Sequence, residues 1–181
     1  HHASADIPTE VAGRDCCVLF TSGSTGTPKG VYVAQPLALS RCLRLWSEQG
    51  FAPGTLIAQR TSLNFIDALW EIFGPLVNGG TVALPDPEAR RDAAALANWV
   101  TLSGVQHLVT VPALLSELLE HWSGAGAPAL QSMICSGEAL ARGLVERCRA
   151  VLPACRLINT YGTSETWDIS AQRVDDLAVA D

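Results

Sequence analysis

The 181-residue sequence predicts an α/β fold, with a mainly parallel sheet covered by helices on both faces. Three observations lead there. Short apolar runs alternate with segments of helical period along the chain. The segments between runs are mostly about ten residues or longer, which makes them crossovers rather than hairpins and so sets successive strands parallel. A hydrophobic content of 48% is enough for a buried core in one domain.

The elements follow in order. Cys16 to Phe20 is a short strand that stops at a run rich in glycine and hydroxyls, Thr21 to Gly30. Val31 to Val33 reads as strand, Leu37 to Glu48 as helix, Thr55 to Ala58 as strand and Phe65 to Val77 as helix. Thr81 to Leu84 is a strand, Arg91 to Leu102 a helix and Gln106 to Val111 a strand. Pro112 to Trp122 is a helix with proline where no hydrogen bond is lost, and Leu114, Leu115, Leu118, Leu119 and Trp122 share one face. Gln131 to Cys135 is a strand, Ala139 to Val151 a helix, and Arg156 to Asn159 the last clear strand. Ligands of such sheets sit at the strand carboxyl ends.

A net charge of −6 argues against a nucleic-acid or membrane-surface partner, since both require a positive field. The six cysteines contain no C-x-x-C pair and no zinc-ligand spacing, so they read as reduced, mostly buried thiols. No signal peptide opens the sequence and no apolar run is long enough to span a bilayer, which implies the cytoplasm. His1 and His2 read as the remains of a purification tag, and residues 1–14 as that remnant plus a leader before the 15–181 unit. Trp46, Trp99 and Trp122 are expected as core or subdomain-contact residues, and His107, which enters an apolar strand, as a core histidine.

A strand followed by Gly, Ser and Thr can turn several N–H groups and hydroxyls toward one point, as a polyphosphate requires, and Lys29 adds charge. A flexible surface loop is the alternative. The lysine follows proline and no hydroxyl residue follows it, so this is not the Walker pattern. The string from Leu19 to Val31, LFTSGSTGTPKGV, resembles almost letter for letter the signature of the adenylate-forming superfamily: acyl-CoA synthetases, luciferases and the adenylation domains of nonribosomal peptide synthetases. That resemblance implies that Thr21, Ser22, Gly23, Ser24, Thr25, Gly26 and Lys29 close over the β- and γ-phosphates of ATP. It also places the sheet in the large N-terminal core subdomain of such an enzyme.

The family's next signature is matched by Asn159-Thr160-Tyr161-Gly162-Thr163-Ser164-Glu165. Carried over residue by residue, it implies that Asn159 bonds the adenine amino edge and Tyr161 stacks on the ring. Ser164 would offer a hydroxyl to the α-phosphate and Glu165 would coordinate Mg2+, so these two are the catalytic candidates and Glu165 the metal ligand. A hard cation prefers carboxylate oxygen, and an aromatic face suits a purine. By themselves these residues could equally be a strand-end turn. Ser136 to Leu140 resembles the family's glycine turn beside the adenine, which adds Gly137 and Glu138 to the nucleotide site.

The segment from Phe65 to Phe73 resembles the peptide-synthetase pattern of Phe-Asp followed by Trp-Glu, with one departure. Anchored on Phe65, Trp70, Glu71 and Phe73, Ile66 stands where the family has the aspartate that grips a substrate α-ammonium, and Asp67 follows it. The implied acid pocket is Ile66, Asp67, Trp70, Thr110, Ile134, Ser136, Thr160, Asp168 and Ile169. An inward Asp67 or Asp168 could hold an amine set farther from the carboxylate, as in a β-amino acid; otherwise Asp67 caps or faces solvent on the first helical turn.

The resemblance implies ATP-dependent activation of a carboxylic acid as an acyl-adenylate, with a carrier-protein thiol as acceptor. The family's ribose-binding aspartate and C-terminal lysine subdomain do not follow Glu165 here. The chain is therefore expected to be a truncated piece, a proteolytic remnant or half of a split domain, inactive alone. The alternatives are a degenerate, non-catalytic module and part of an acyl-CoA synthetase.

Overall fold

The structure, a computed structural model, describes residues 15–21, 28–123 and 129–174. The element order is β1 (Asp15–Thr21), β2 (Lys29–Ala34), α1 (Gln35–Gln49), β3 (Leu56–Ala58), α2 (Asp67–Val77), β4 (Thr81–Ala83), α3 (Ala93–Ser103), β5 (His107–Thr110), α4 (Pro112–Trp122), β6 (Ser132–Cys135), α5 (Arg142–Val151), β7 (Arg156–Thr163) and β8 (Trp167–Arg173). A six-stranded sheet runs β4-β3-β5-β6-β7-β8. Its first five strands pair in parallel and β8 pairs antiparallel with β7. The expected α/β class with a mainly parallel sheet is thus the observed one.

Sheet residues alternate between two apolar layers, as the two-residue pleat requires. Ala58, Leu108, Met133, Cys135 and Leu157 pack with Leu96 and Val100 of α3, Leu115, Leu118 and Trp122 of α4, and Val145 and Cys148 of α5. Their neighbours Ile57, Val109, Ile134 and Ile158 pack on the other face with Cys42, Leu45 and Trp46 of α1 and Trp70 of α2. Being covered on both sides explains why these strands read as continuous apolar runs. His107 is buried in the second layer, hydrogen-bonded through Nδ1 to Ser132 Oγ at 2.7 Å, with its ring 4.0 Å from that of Phe51.

Three strands depart from expectation. β1 and β2 do not extend the parallel sheet; they form a separate antiparallel ribbon, with Thr21 opposite Lys29. The link between them is too short for a crossover, so antiparallel pairing is the only local solution. β8 is the third. Four helix starts also move by two or three residues, while α4 begins at Pro112 as expected: Asp92 caps α3 by accepting the Ala95 N–H at 2.7 Å, so α3 begins at Ala93.

Gly80 marks where the turn after α2 passes under α1. A Cβ there would lie 2.5 Å from Trp46 Cη2 and 3.0 Å from both Pro75 Cβ and the Thr55 carbonyl oxygen. Gly80→Ala is expected to cost about 1–3 kcal/mol, because two of the three neighbours are backbone or ring-locked. Urea unfolding of the chain and the variant measures this; an unchanged midpoint would mean that the turn can shift freely.

Candidate nucleotide and acid site

The parallel register brings the carboxyl ends of three strands level, with Thr110 beside Cys135 and Cys135 beside Asn159. Everything immediately beyond those positions emerges on one edge of the sheet. After β6 the chain turns through Ser136, Gly137 and Glu138, with the Ser136 N–H bonded to the Thr110 carbonyl at 3.0 Å. Gly137 has φ +86°, a left-handed conformation that a side chain would strain. After Asn159, β7 continues past its parallel neighbour. Thr160 is buried there, its hydroxyl donating to the Cys135 carbonyl at 3.2 Å.

β7 and β8 are joined by a tight turn with Ser164 and Glu165 at its tip. The Thr163 and Thr166 hydroxyls lie 2.9 Å apart and each accepts the other residue's N–H at 3.3 Å. Trp167, the residue after the turn, takes φ +58° although it is not glycine. Its indole is buried with Leu19, Val33 and Ile66, which offsets the strain of that conformation. Glu165 itself is exposed. Its own N–H, the Thr163 and Thr21 hydroxyls and the charge of Lys29, in that order apart from a small opposing desolvation, hold its carboxyl below the usual range.

Thr21 Oγ1 donates to Glu165 Oε1 at 3.5 Å, joining positions 144 residues apart in sequence. Since Thr21 also pairs with Lys29 across the β-ribbon, both ends of the glycine-rich loop stand beside the carboxylate. Ser22, Gly23, Ser24, Thr25 and Gly26 lie outside the described residues.

Two clefts meet at Gly137 and Glu138. The smaller, about 270 Å³, is lined by Gly137, Glu138, Ala139, Asn159, Thr160, Tyr161 and Gly162. In its wall the Asn159 amide oxygen is buried without a hydrogen-bond partner, and Tyr161 is largely exposed. A buried acceptor left unsatisfied is costly, a cost that a ligand donor or a bound water would relieve. The larger cleft, about 1090 Å³, includes Asp67, Thr110, Ser136, Gly137 and Glu138 in its lining, with Arg60, Arg90, Leu63, Phe65 and Val109.

The remaining residues named for the acid pocket are placed differently. Ile66 is buried against Leu19, Val33 and Trp167. Trp70 and Ile134 are buried in the α1/α2-side core, Trp70 with its ring 6.0 Å from that of Phe51. Asp168 and Ile169 belong to β8, and their side chains lie outside the described residues. Asp67 sits on the first turn of α2, with Oδ1 2.8 Å from Arg41 Nη2.

Three contributors were not singled out from sequence. Arg41 is almost wholly buried and also lies over the Trp167 ring at 5.1 Å. The available signal was a guanidinium in the helical stripe that Cys42, Leu45 and Trp46 bury. Glu71 is fully buried; burial pushes its carboxyl up to about 7, and it accepts from the Thr61 hydroxyl at 2.6 Å and from the Thr61 and Arg60 N–H groups at 2.9 and 3.1 Å. It thereby fixes the segment Gln59 to Ser62, one wall of the larger cleft. Arg90, also in that lining, donates through Nε to the Pro85 carbonyl at 3.0 Å.

Among the described residues no group of three or more His, Cys, Asp or Glu stands together as a metal-ligand set, and no helix is long and apolar enough to cross a membrane.

The AMP-binding enzyme family matches residues 3–179. The chain is 38% identical over 181 residues to indigoidine synthase of Dickeya dadantii, covering 98% of this chain and 12% of that protein. It is 35% identical over 161 residues to the phosphinothricin tripeptide synthetase PhsB of Streptomyces viridochromogenes, covering 88% and 13%. It superposes on the AMPPNP-bound form of the nonribosomal peptide synthetase FmoA3 with a TM-score of 0.80 and 25% identity, covering 91% of this chain and 18% of that one. The chain thus spans about an eighth of the two sequence relatives' length. It belongs to the AMP-binding enzyme family, in the adenylation-domain branch of the nonribosomal peptide synthetases.

Proposed function

We propose that the full-length protein containing this chain activates a carboxylic acid with ATP and passes the acyl group to the phosphopantetheine thiol of a carrier protein. A carboxylate oxygen attacks the α-phosphorus and forms an O–P bond. The bond from that phosphorus to the bridging oxygen breaks, and its electron pair leaves with pyrophosphate. The observation that carries this reading is the unpartnered, buried Asn159 oxygen in a cleft beside Tyr161, adjoining a second cleft large enough for an acid. An adenine amino group supplies the donor that oxygen lacks, and Tyr161 offers the ring face.

Mg2+ bound at Glu165 would neutralise charge developing on the phosphates. The chain's own residues position the rest: Lys29 and the Ser22–Gly26 loop on the β- and γ-phosphates, Ser164 on the α-phosphate, and the turn at Gly137 and Glu138 beside the purine. No side chain is needed as nucleophile, so catalysis is orientation and electrostatics. The acid lies along Asp67, Thr110 and Ser136, with Ile66, Trp70, Ile134, Thr160, Asp168 and Ile169 shaping its surroundings. Ile66 offers no charge to an α-ammonium, so an ordinary α-amino acid should not be the preferred substrate. Six free thiols are consistent with a cytoplasmic setting.

Asn159→Leu tests the adenine assignment. It removes one hydrogen bond of roughly 1–3 kcal/mol, so ATP affinity of the full-length protein should fall about fivefold to a hundredfold by calorimetry. Unchanged affinity in a folded variant would remove the adenine from this cleft.

A further inference from the structure

Resting on the activation reading above, we propose that Trp167 is a positioning residue: its indole locks the turn that carries Glu165 against the ribbon that carries the glycine-rich loop, so that both act on the same phosphates.

The two halves of the phosphate site stand on different sheets. β1 and β2 pair with each other, whereas the turn at Ser164 and Glu165 joins β7 and β8 of the six-stranded sheet. Among the described residues no strand pairing sets the distance between ribbon and turn. The Thr21 hydroxyl does reach Glu165, but at 3.5 Å and in an exposed position, where water competes for it.

The firmer link is apolar. Leu19 of β1, Val33 of β2, Ile66 before α2 and Trp167 at the start of β8 form one buried cluster. Trp167 is the one described member of it that belongs to the six-stranded sheet, and it is 4% exposed. Leu19 lies two residues before Thr21, and Trp167 two residues after Glu165, so the contact sits at the base of both loops. Burial of so large a ring outweighs one exposed hydrogen bond, and the Arg41 guanidinium over its face at 5.1 Å holds it further.

The backbone points the same way. Trp167 pairs with Thr163 to close the turn and takes φ +58°, and among the described residues it is the only non-glycine with positive φ. Glycine would hold that conformation without strain. A bulky residue kept there is explained by what its side chain contacts, and that contact is the ribbon.

The test is calorimetry of ATP binding to the full-length protein with Mg2+ and with EDTA, the ratio of the two affinities being the gain due to the metal. Trp167→Gly relaxes the backbone and removes the anchor, and should cut that gain by about tenfold while leaving the affinity in EDTA nearly unchanged, since Asn159 and Tyr161 are untouched. Half-saturating Mg2+ in ATP–pyrophosphate exchange should rise in step. Trp167→Phe keeps an aromatic anchor and should recover most of the loss. If Trp167→Gly does not fold, Leu19→Ala thins the same contact from the ribbon side and should cut the gain by about threefold or more. An unchanged gain in the folded variant, a Trp167→Phe as impaired as Trp167→Gly, or equal losses with Mg2+ and with EDTA overturns the proposal. A wild type whose ATP affinity ignores Mg2+ overturns it too. All four outcomes leave acid activation standing, which fails only if the wild type shows no acid-dependent exchange.

Discussion

Glu165→Gln is expected to lower ATP–pyrophosphate exchange by the full-length protein by about a hundredfold or more while leaving its folding unchanged. The side chain is exposed, so its loss removes no core contact. It is ionised throughout the neutral range, because hydrogen bonds from its own N–H, Thr163 and Thr21 and the nearby Lys29 all favour the charged form. Glutamine keeps the shape and accepts the Thr21 hydroxyl but lacks the charge that a divalent ion requires. The exchange rate and a thermal melt, measured together, separate the two effects. Exchange within about threefold of wild type would mean that Glu165 holds no metal.

The second large effect falls on stability. Glu71→Leu leaves the Thr61 and Arg60 N–H groups and the Thr61 hydroxyl facing a hydrocarbon, and should cost about 3 kcal/mol or more in urea unfolding. Glu71→Gln is milder and shows the group through pH. Burial raises the Glu71 carboxyl from 4.5 to about 7, so the folded state holds a proton that the unfolded state has released over that interval. Its contribution is complete below about pH 4.5 and is lost as pH rises through about 7. His107 runs the other way. Burial first, and Arg156 second, lower it from 6.5 to about 4, so its contribution is complete above about pH 6.5 and lost as pH falls through about 4.

Between about pH 4.5 and 6.5 the two slopes oppose and nearly cancel. Glu71→Gln removes one of them, so its stability should rise by about 3 kcal/mol from pH 4 to 6.5, where the parent chain stays almost flat. Chemical unfolding at several pH values measures this, and parallel curves for the two would refute the assignment.

The strands β3, β5, β6 and β7 were legible because burial on both faces gives them short apolar runs, and because the helices between them carry clear stripes, as in Leu115, Leu118 and Trp122 of α4. The meeting of Thr21 with Glu165 followed from the two motifs rather than from periodicity. β8 was not legible: a strand at the sheet edge is half exposed, and its polar residues Ser170 and Gln172 alternate with only short apolar stretches. The β1/β2 ribbon was read as two strands but assigned to the wrong sheet, since strand pattern carries no information on pairing partners. Arg41 was invisible for a different reason. An arginine on a helix is normally a solvated residue, and only the tertiary position of Asp67 and Trp167 shows this one turned inward.

The central claim is that the two clefts meeting at Gly137 and Glu138 hold adenine and acid for one reaction. Incorporation of labelled pyrophosphate into ATP by the full-length protein, with and without added acid, tests it most directly. Label in ATP should depend on an added acid and disappear with Glu165→Gln. ATP binding without acid-dependent label, across aryl, hydroxy, keto and amino acids, would contradict it and identify the domain as a nucleotide-binding module without catalysis.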